Sequence, residues 1–255
     1  MLKTHWKAAL TVAVAVALCA ATHTAQAAGW GSISGQITYD GKAPTLAPKV
    51  KKGDPAAKDA AVCAAQDVPD DSLVVNAENK GIEYVVVYLR KAPKDIHPDL
   101  AKSSEAEVVL DQKGCVFTPH ALICRTDQSV LCKNSDAVAH NVRTAPFSNS
   151  AENFIVAPND TTGKAVSMKL GESRPVKVSC DIHTYMTGWW VVVDHPYAAI
   201  TDADGKFHID NLPVGKHDFI IWHEKAGYVE KKFTVDVKEG DNAPISLKVA
   251  PAKFQ

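Results

Sequence analysis

Apolar residues along this chain come in short alternating runs broken by turn-forming residues, and no long window repeats them at helical spacing. The first run, Trp30-Gly-Ser-Ile-Ser-Gly-Gln-Ile-Thr-Tyr39, predicts a strand through Ile33, Gln36, Ile37 and Tyr39 that ends in the turn Asp40-Gly41. Pro44 to Asp71 is rich in Lys, Ala, Asp and Pro and reads as a long surface connection pinned by Cys63. A short strand at Leu73–Val75 and a buried one at Tyr84–Leu89 follow. Lys91 to Ser104, with Pro93 and Pro98, then forms a second connection and a domain boundary.

From Glu105 the pattern predicts a series of short strands: Val108–Leu110, Val116–Phe117, Ala121–Cys124, Val130–Cys132 and His140–Arg143. Ser148 to Thr162 is a polar excursion with too little apolar content to be core. Strands resume at Ala165–Leu170, Val176–Ser179 and Trp189–Val193. Eight or so strands with Greek-key connections suit a two-sheet sandwich. After His195-Pro196 the stretch Ala198 to Gly215 alternates strand and turn, and strands follow at Phe219–Trp222 and Phe233–Val237. The fold class is all-β.

The N-terminus reads as an export signal over residues 1–27. Lys3 and Lys7 form its basic region, Ala8 to Ala20 its apolar region, and Ala25-Gln-Ala27 its cleavage site. The apolar region is too short to span a bilayer. Leu18 stands before Cys19 where a lipoprotein signal needs a small residue, so a lipid anchor is not expected. The mature protein is expected to be soluble, periplasmic or secreted, with no membrane span. Of 255 residues, 228 then remain, and removal of two lysines moves the formal charge from −1 to −3. Such a balance gives no reason to expect nucleic acid or anionic membrane as a partner.

The densest chemistry lies in Cys180-Asp-Ile-His183-Thr-Tyr-Met186, between two predicted strands. Two residues separate Cys180 from His183 and two separate His183 from Met186, so one tight loop can fold a thiolate, an imidazole and a thioether around a single ion. A remote imidazole, His140 in Ala139-His140-Asn141-Val142, can close the site from a neighbouring strand. Two His, one Cys and a weak Met form the donor set of a blue-copper electron-transfer site, and the soft sulfurs select copper over magnesium or calcium. Taken singly, each residue has a blander reading: Cys180 as a disulfide partner, His183 on the surface, Met186 as core filler. Structural zinc prefers four Cys or His ligands and has no use for a methionine.

Over residues 105–195 the chain resembles the cupredoxins, and its Cys-x2-His-x2-Met spacing is most similar to the amicyanin and plastocyanin branch. The resemblance implies one type 1 copper per chain, with His140, Cys180 and His183 as equatorial ligands and Met186 as the axial one. It also implies a supporting role for Asn141, whose backbone N–H would donate to the Cys180 sulfur. Amicyanin-type loops carry prolines between the ligands; here Asp-Ile and Thr-Tyr stand instead, which bears on loop stiffness and potential. The implied function is single-electron transfer with no catalysis, between redox partner proteins such as a dehydrogenase or cytochrome, with a link to amine oxidation. A storage, delivery or sensing role without electron traffic, and a surface module with a vestigial site, are the alternatives.

Residues 196–255 resemble the carboxypeptidase regulatory-like, transthyretin-type β-sandwich through Thr201-Asp-Ala-Asp-Gly-Lys-Phe207 and Leu212-Pro-Val-Gly215. That family opens on features that stand far away here, at Gly31-Ser-Ile-Ser-Gly-Gln-Ile37 and Asp40-Gly-Lys-Ala-Pro44. The N-terminal segment 28–104 is therefore expected to pair with 196–255, with the copper portion 105–195 inserted into one small sandwich. The alternative is two consecutive domains with a loose N-terminal strand.

If Cys180 ligates metal, Cys63, Cys115, Cys124 and Cys132 remain for two bridges, with three pairings open. Cys124–Cys132, across a short connection, and Cys63–Cys115 are favoured. Asp202-Ala-Asp-Gly205 reads as a turn, because the Glu that a calcium loop needs is replaced by Pro213. His120, His195, His208, His217 and His223 lack metal-site spacing, and His223-Glu224-Lys225 reads as a solvated charged loop. Tyr185, Met186, Trp189, Pro146 and Phe147 could frame an apolar docking patch around His183. No further Cys-His ligands for a trinuclear copper cluster are present.

Overall fold

The computed structural model describes Met1 and residues 29–255, so the export signal read over residues 1–27 lies, but for Met1, outside the described residues. The N-terminal portion carries strand β1 (Trp30–Tyr39), a four-residue helix α1 (Ala60–Cys63) and β2 (Val86–Leu89). The middle portion holds β3 (Glu107–Gln112), β4 (Phe117–Thr118), β5 (Ala121–Arg125), β6 (Ser129–Cys132) and β7 (His140–Ala145). It continues through β8 (Asn153–Val156), β9 (Lys164–Ser167), β10 (Val176–Ser179) and β11 (Thr187–Val193). The last portion adds β12 (Ala198–Ile200), β13 (Lys206–Pro213), β14 (Gly215–His223), β15 (Gly227–Val237), β16 (Gly240–Asp241) and β17 (Ile245–Val249). No helix among the described residues is long and apolar enough to cross a membrane.

Two pairs of sheets result. β1 pairs antiparallel with β13 and parallel with β16 and β17, while β2 lies between β12 and β14, with β15 beyond. These two sheets enclose a core of Ile33, Ile37, Val85, Val87, Leu89, Phe207, Ile209, Phe219 and Ile221. The chain leaves this pair after β2 and returns to it with β12, on the other edge of β2. The intervening residues build the second pair, β5-β11-β10-β7-β8 facing β4-β3-β6-β9, around Leu110, Phe117, Val130, Val142, Val178, Trp190 and Val192.

Two apolar runs explain how the pairs meet. Side chains alternate across a strand, so a run with no polar member must be covered on both faces. In β2, Val87 and Leu89 point into the first core while Val86 and Tyr88 point out; in β11, Trp190 and Val192 point into the second core while Val191 and Val193 point out. The outward sets meet, with Ile220 and Trp222 of β14, in a buried junction. Each such side chain contributes roughly 1.5–3 kcal/mol by leaving water.

Two glycines explain the N-terminal motif and the Asp-Gly turn. A Cβ on Gly35 would stand 2.5 Å from the Ile245 carbonyl oxygen and 2.7 Å from the Phe207 ring, so only glycine lets β1 lie this close to β17 and β13. Gly205, at φ +73°, closes the turn in which Asp202 Oδ1 accepts the backbone N–H groups of Asp204 and Lys206.

The structure corrects four expectations. Cys63 and Cys115 form a disulfide, but Cys124 and Cys132 are separate buried thiols: β5 and β6 belong to opposite sheets, so Thr126–Gln128 carries the chain across the sandwich instead of closing a ladder. The polar excursion contains β8, an edge strand that buries Val156. Leu73–Val75 makes only an isolated bridge, Val75 to Ile82. The connection after β1 is no mere surface loop: Val50, Ala64 and Val68 are buried against Val116 and Tyr185, so residues 50–68 cover the end of the second sandwich.

Candidate metal centre

β7 opens on His140, and its antiparallel partner β10 ends at Ser179, opposite Arg143. The residues immediately beyond β10 therefore emerge beside the start of β7. There the chain turns back into β11 through a loop closed by its own backbone: Cys180 N–H donates to the Met186 carbonyl (3.3 Å), and Met186 N–H donates to that of His183 (2.9 Å). The Cys180 Sγ accepts two backbone N–H groups, from His183 (3.3 Å) and Asn141 (3.5 Å). The Asn141 side chain grips the same loop, accepting from Asp181 N–H (2.6 Å) and Ile182 N–H (3.3 Å) and donating to Asn153 and Asp181.

Three donor atoms converge. His140 Nδ1 lies 3.0 Å from His183 Nδ1, Cys180 Sγ lies 4.0 Å from His183 Nδ1, and the ligand atoms of the three residues all fall within 4.8 Å of one another. All three residues are buried, as is Met186 in the same apolar cluster. The far nitrogens are each held by a carboxylate: His140 Nε2 by Asp136 (2.9 Å) and His183 Nε2 by Asp59 (2.9 Å). A carboxylate behind an imidazole fixes its tautomer and raises its basicity as a metal ligand. The two Nδ1 atoms thus face each other and the Cys180 sulfur in a space shut off from water.

Electrostatics agree with this crowding of electron density. Burial opposes charge on His140, yet Asp136 and Cys180 beside it raise its pKa to about 9. Burial also opposes the Cys180 thiolate, but His140 and the N–H groups of Asn141, His183 and Ile182 bring its pKa below the ordinary thiol value. Burial and the charge of His140 lower the pKa of His183. The three donors could hold a metal ion among them. Separations of 3.0 and 4.0 Å fit two bonds of about 2.0–2.3 Å each to a shared ion. Two imidazoles and a thiolate are the donor set that copper takes.

Sequence reasoning missed both carboxylates. Asp136 precedes His140 by four positions in a loop, where that spacing has no geometric meaning. Asp59 lies 124 residues from His183 in a segment read as surface connection. It sits at φ +54°, ahead of α1. Together with the Cys63–Cys115 disulfide, it covers the ligand loop and leaves the His183 side chain fully buried. The expected docking patch around His183 is therefore absent. Phe147 is exposed, but it follows the far end of β7, roughly 20 Å along the strand from His140. Trp189 faces Trp222 in the junction, with ring centroids 4.8 Å apart.

The other histidines named from the sequence, all among the described residues, do not join the centre. His195 bonds the Leu89 carbonyl, His208 the Asp210 side chain and His217 the Pro213 carbonyl, while His223 is buried with Nε2 unpartnered. His120 and Glu224 form a partly buried pair at 2.5 Å, and Glu224 also accepts Trp189 Nε1–H (2.9 Å). That loop is thus solvated only in part, with Lys225 exposed and His223 buried.

No protein-family model and no curated protein matches the chain. Among solved structures it is similar to a reduced amicyanin variant at 18% identity, over 36% of this chain and 87% of that one, with a TM-score of 0.31. A purple cupredoxin from Nitrosopumilus maritimus matches at 16% identity, over 34% of this chain and 99% of that one (TM-score 0.28). A copper-containing nitrite reductase from Thermus scotoductus matches at 18% identity, over 40% of this chain and 28% of that one (TM-score 0.30).

Proposed function

We propose that this chain is an exported mononuclear copper protein that carries single electrons between redox partners and catalyses no substrate chemistry. The reading rests on one observation, the convergence of His140 Nδ1, His183 Nδ1 and Cys180 Sγ in a buried site whose remaining imidazole nitrogens are held by carboxylates. His140, Cys180 and His183 would hold the ion, with Met186 the candidate for a weak fourth bond. Bound copper supplies one-electron chemistry between its cuprous and cupric states. The residues supply fixed positions. β7, β10 and the Asn141 bonds hold the donors in place, so they need not rearrange when charge changes. The Asn141 and His183 N–H groups stabilise negative charge on Cys180. His183 leads outward through Asp59, the one part of this relay that reaches solvent.

A second reading, in which the chain holds copper for storage or delivery without electron traffic, is favoured by the cover over His183, because residues 50–68 separate the ligand from any docking protein. Cu(II) titration followed by visible and electron paramagnetic resonance spectra separates the two. Electron transfer requires an intense blue thiolate-to-copper band with narrow hyperfine splitting, both lost in Cys180→Ser. A colourless product with ordinary cupric signals leaves the holding role.

A further inference from the structure

The disulfide lies close to both histidines of the candidate centre. Cys63 Sγ, Cys115 Sγ and a ring nitrogen of His183 fall within 4.8 Å of one another, and Cys115 Sγ, an Asp136 carboxylate oxygen and a His140 nitrogen form another such group. Both cysteines are buried. A bridge needed only to pin residues 50–68 could lie anywhere along that cover; this one brings sulfur within 4.8 Å of a nitrogen of each imidazole. We propose that Cys63–Cys115 is a redox-active pair which, once reduced, contributes thiolates to the same centre and converts it to a thiolate-rich site for Cu(I). The inference rests on the copper reading above.

Softness supplies the chemical reason. A disulfide sulfur is a poor donor, whereas thiolates select cuprous copper. A dithiol donor would open the bridge: its two sulfurs join as a new disulfide, while the Cys63–Cys115 bond breaks and takes up two electrons and two protons. Each thiol that binds Cu(I) then releases its proton to solvent.

Geometry supplies the second reason, because each cysteine has an anchor independent of the bridge. Cys115 N–H donates to Asp136 Oδ2 (2.8 Å), the oxygen that also holds His140 Nε2. Cys63 N–H donates to the Asp59 carbonyl (2.9 Å), and the Asp59 side chain holds His183 Nε2. One aspartate therefore ties each cysteine to one histidine. Opening the bridge leaves both sulfurs near His183, and the Cys115 sulfur near His140 as well.

The test is anaerobic competition for Cu(I) against a colorimetric chelator. The disulfide form, with ascorbate maintaining Cu(I), is compared with protein reduced by a phosphine and then desalted. Near-UV circular dichroism checks the fold, and X-ray absorption counts sulfur neighbours. Reduction is expected to tighten Cu(I) binding at least roughly 10-fold, since even partners one shell outside a metal change affinity by 10–100-fold. The sulfur count should rise, and the doubly substituted Cys63→Ser/Cys115→Ser chain should match the disulfide form in both arms. Equal affinities, an unchanged sulfur count, tighter binding that persists in the double variant, or loss of the near-UV signal on reduction would each overturn the proposal. The blue band of the disulfide form is recorded first: its absence defeats the parent reading, whereas its presence with no Cu(I) difference defeats only this one.

Discussion

At the scale of single residues, two aspartates and a histidine carry the sharpest consequences. Asp136 accepts from Gly114 N–H (2.7 Å) and Cys115 N–H (2.8 Å) as well as from His140. Asp136→Ala strands two backbone donors and frees one ligand ring. Copper affinity should fall about 10–100-fold in chelator competition, and urea titration should show a loss of roughly 2 kcal/mol or more. Asp59→Gly removes only the bond to His183, at an exposed position whose φ of +54° suits glycine, so it should weaken copper binding with little effect on stability. Equal stability losses in the two variants would mean that Asp136 does no more than Asp59. His223 works through pH. Burial, with His120 and Lys225 adding repulsion against the opposing pull of Glu224, holds its pKa down at about 4. An unfolded histidine near 6.5 takes up a proton that the folded one refuses. This contribution is therefore complete above about pH 6.5 and is lost as pH falls toward 4, by roughly 3 kcal/mol in all. His223→Phe should flatten the dependence of the urea midpoint on pH across that window.

At the scale of elements, β11 does the most. Its register with β10 places Trp190 opposite Val176 and Thr187 opposite Ser179, so the strand that returns from the ligand loop also forms the floor of the core beneath it. Trp190→Ala should cost about 3–5 kcal/mol by urea titration. A loss below 1 kcal/mol would mean that the loop does not depend on this floor. The runs at Ile33–Tyr39 and Val176–Ser179 could be read from the sequence, because period 2 is a local property; Trp189–Val193 could be read as a strand, but an unbroken apolar run does not say which face Trp190 takes and which Val191. The donor spacing from Cys180 to Met186 could also be read, lying within one loop. β8 could not, because an edge strand in a polar stretch buries one residue, Val156, and leaves no alternating signal. Nor could Asp59, or the segment that brings it over His183. That contact joins residues far apart in the chain, and only the folded sandwich places them together. The Cys124–Cys132 expectation failed on a related point: short separation suggests pairing, but a turn that changes sheets sends its two ends to opposite walls of the core.

At the scale of the molecule, the metal centre in the second sandwich and the first sandwich are either independent or coupled. The junction argues that they are coupled. Val86, Tyr88, Ile220 and Trp222 from one side and Val191 and Val193 from the other are all buried, and the Trp189–Trp222 edge-to-face pair adds about 0.5–1.5 kcal/mol beyond its burial. Neither face could be left in water without exposing a contiguous apolar patch. β11 belongs to the junction through one set of side chains and to the floor of the ligand loop through the other. Loosening the first sandwich should therefore reach the copper donors through a single strand. Copper-loaded protein should unfold in one thermal transition, with the visible band and tryptophan fluorescence lost together, since coincident probes mark all-or-none unfolding. Val86→Asp puts a carboxylate into the junction and leaves every donor in place. It should split the transition, with fluorescence changing at a lower temperature than the visible band. Two separate transitions in the unaltered protein would show instead that the junction is a contact between autonomous units, and that the first sandwich has no hold on the metal centre.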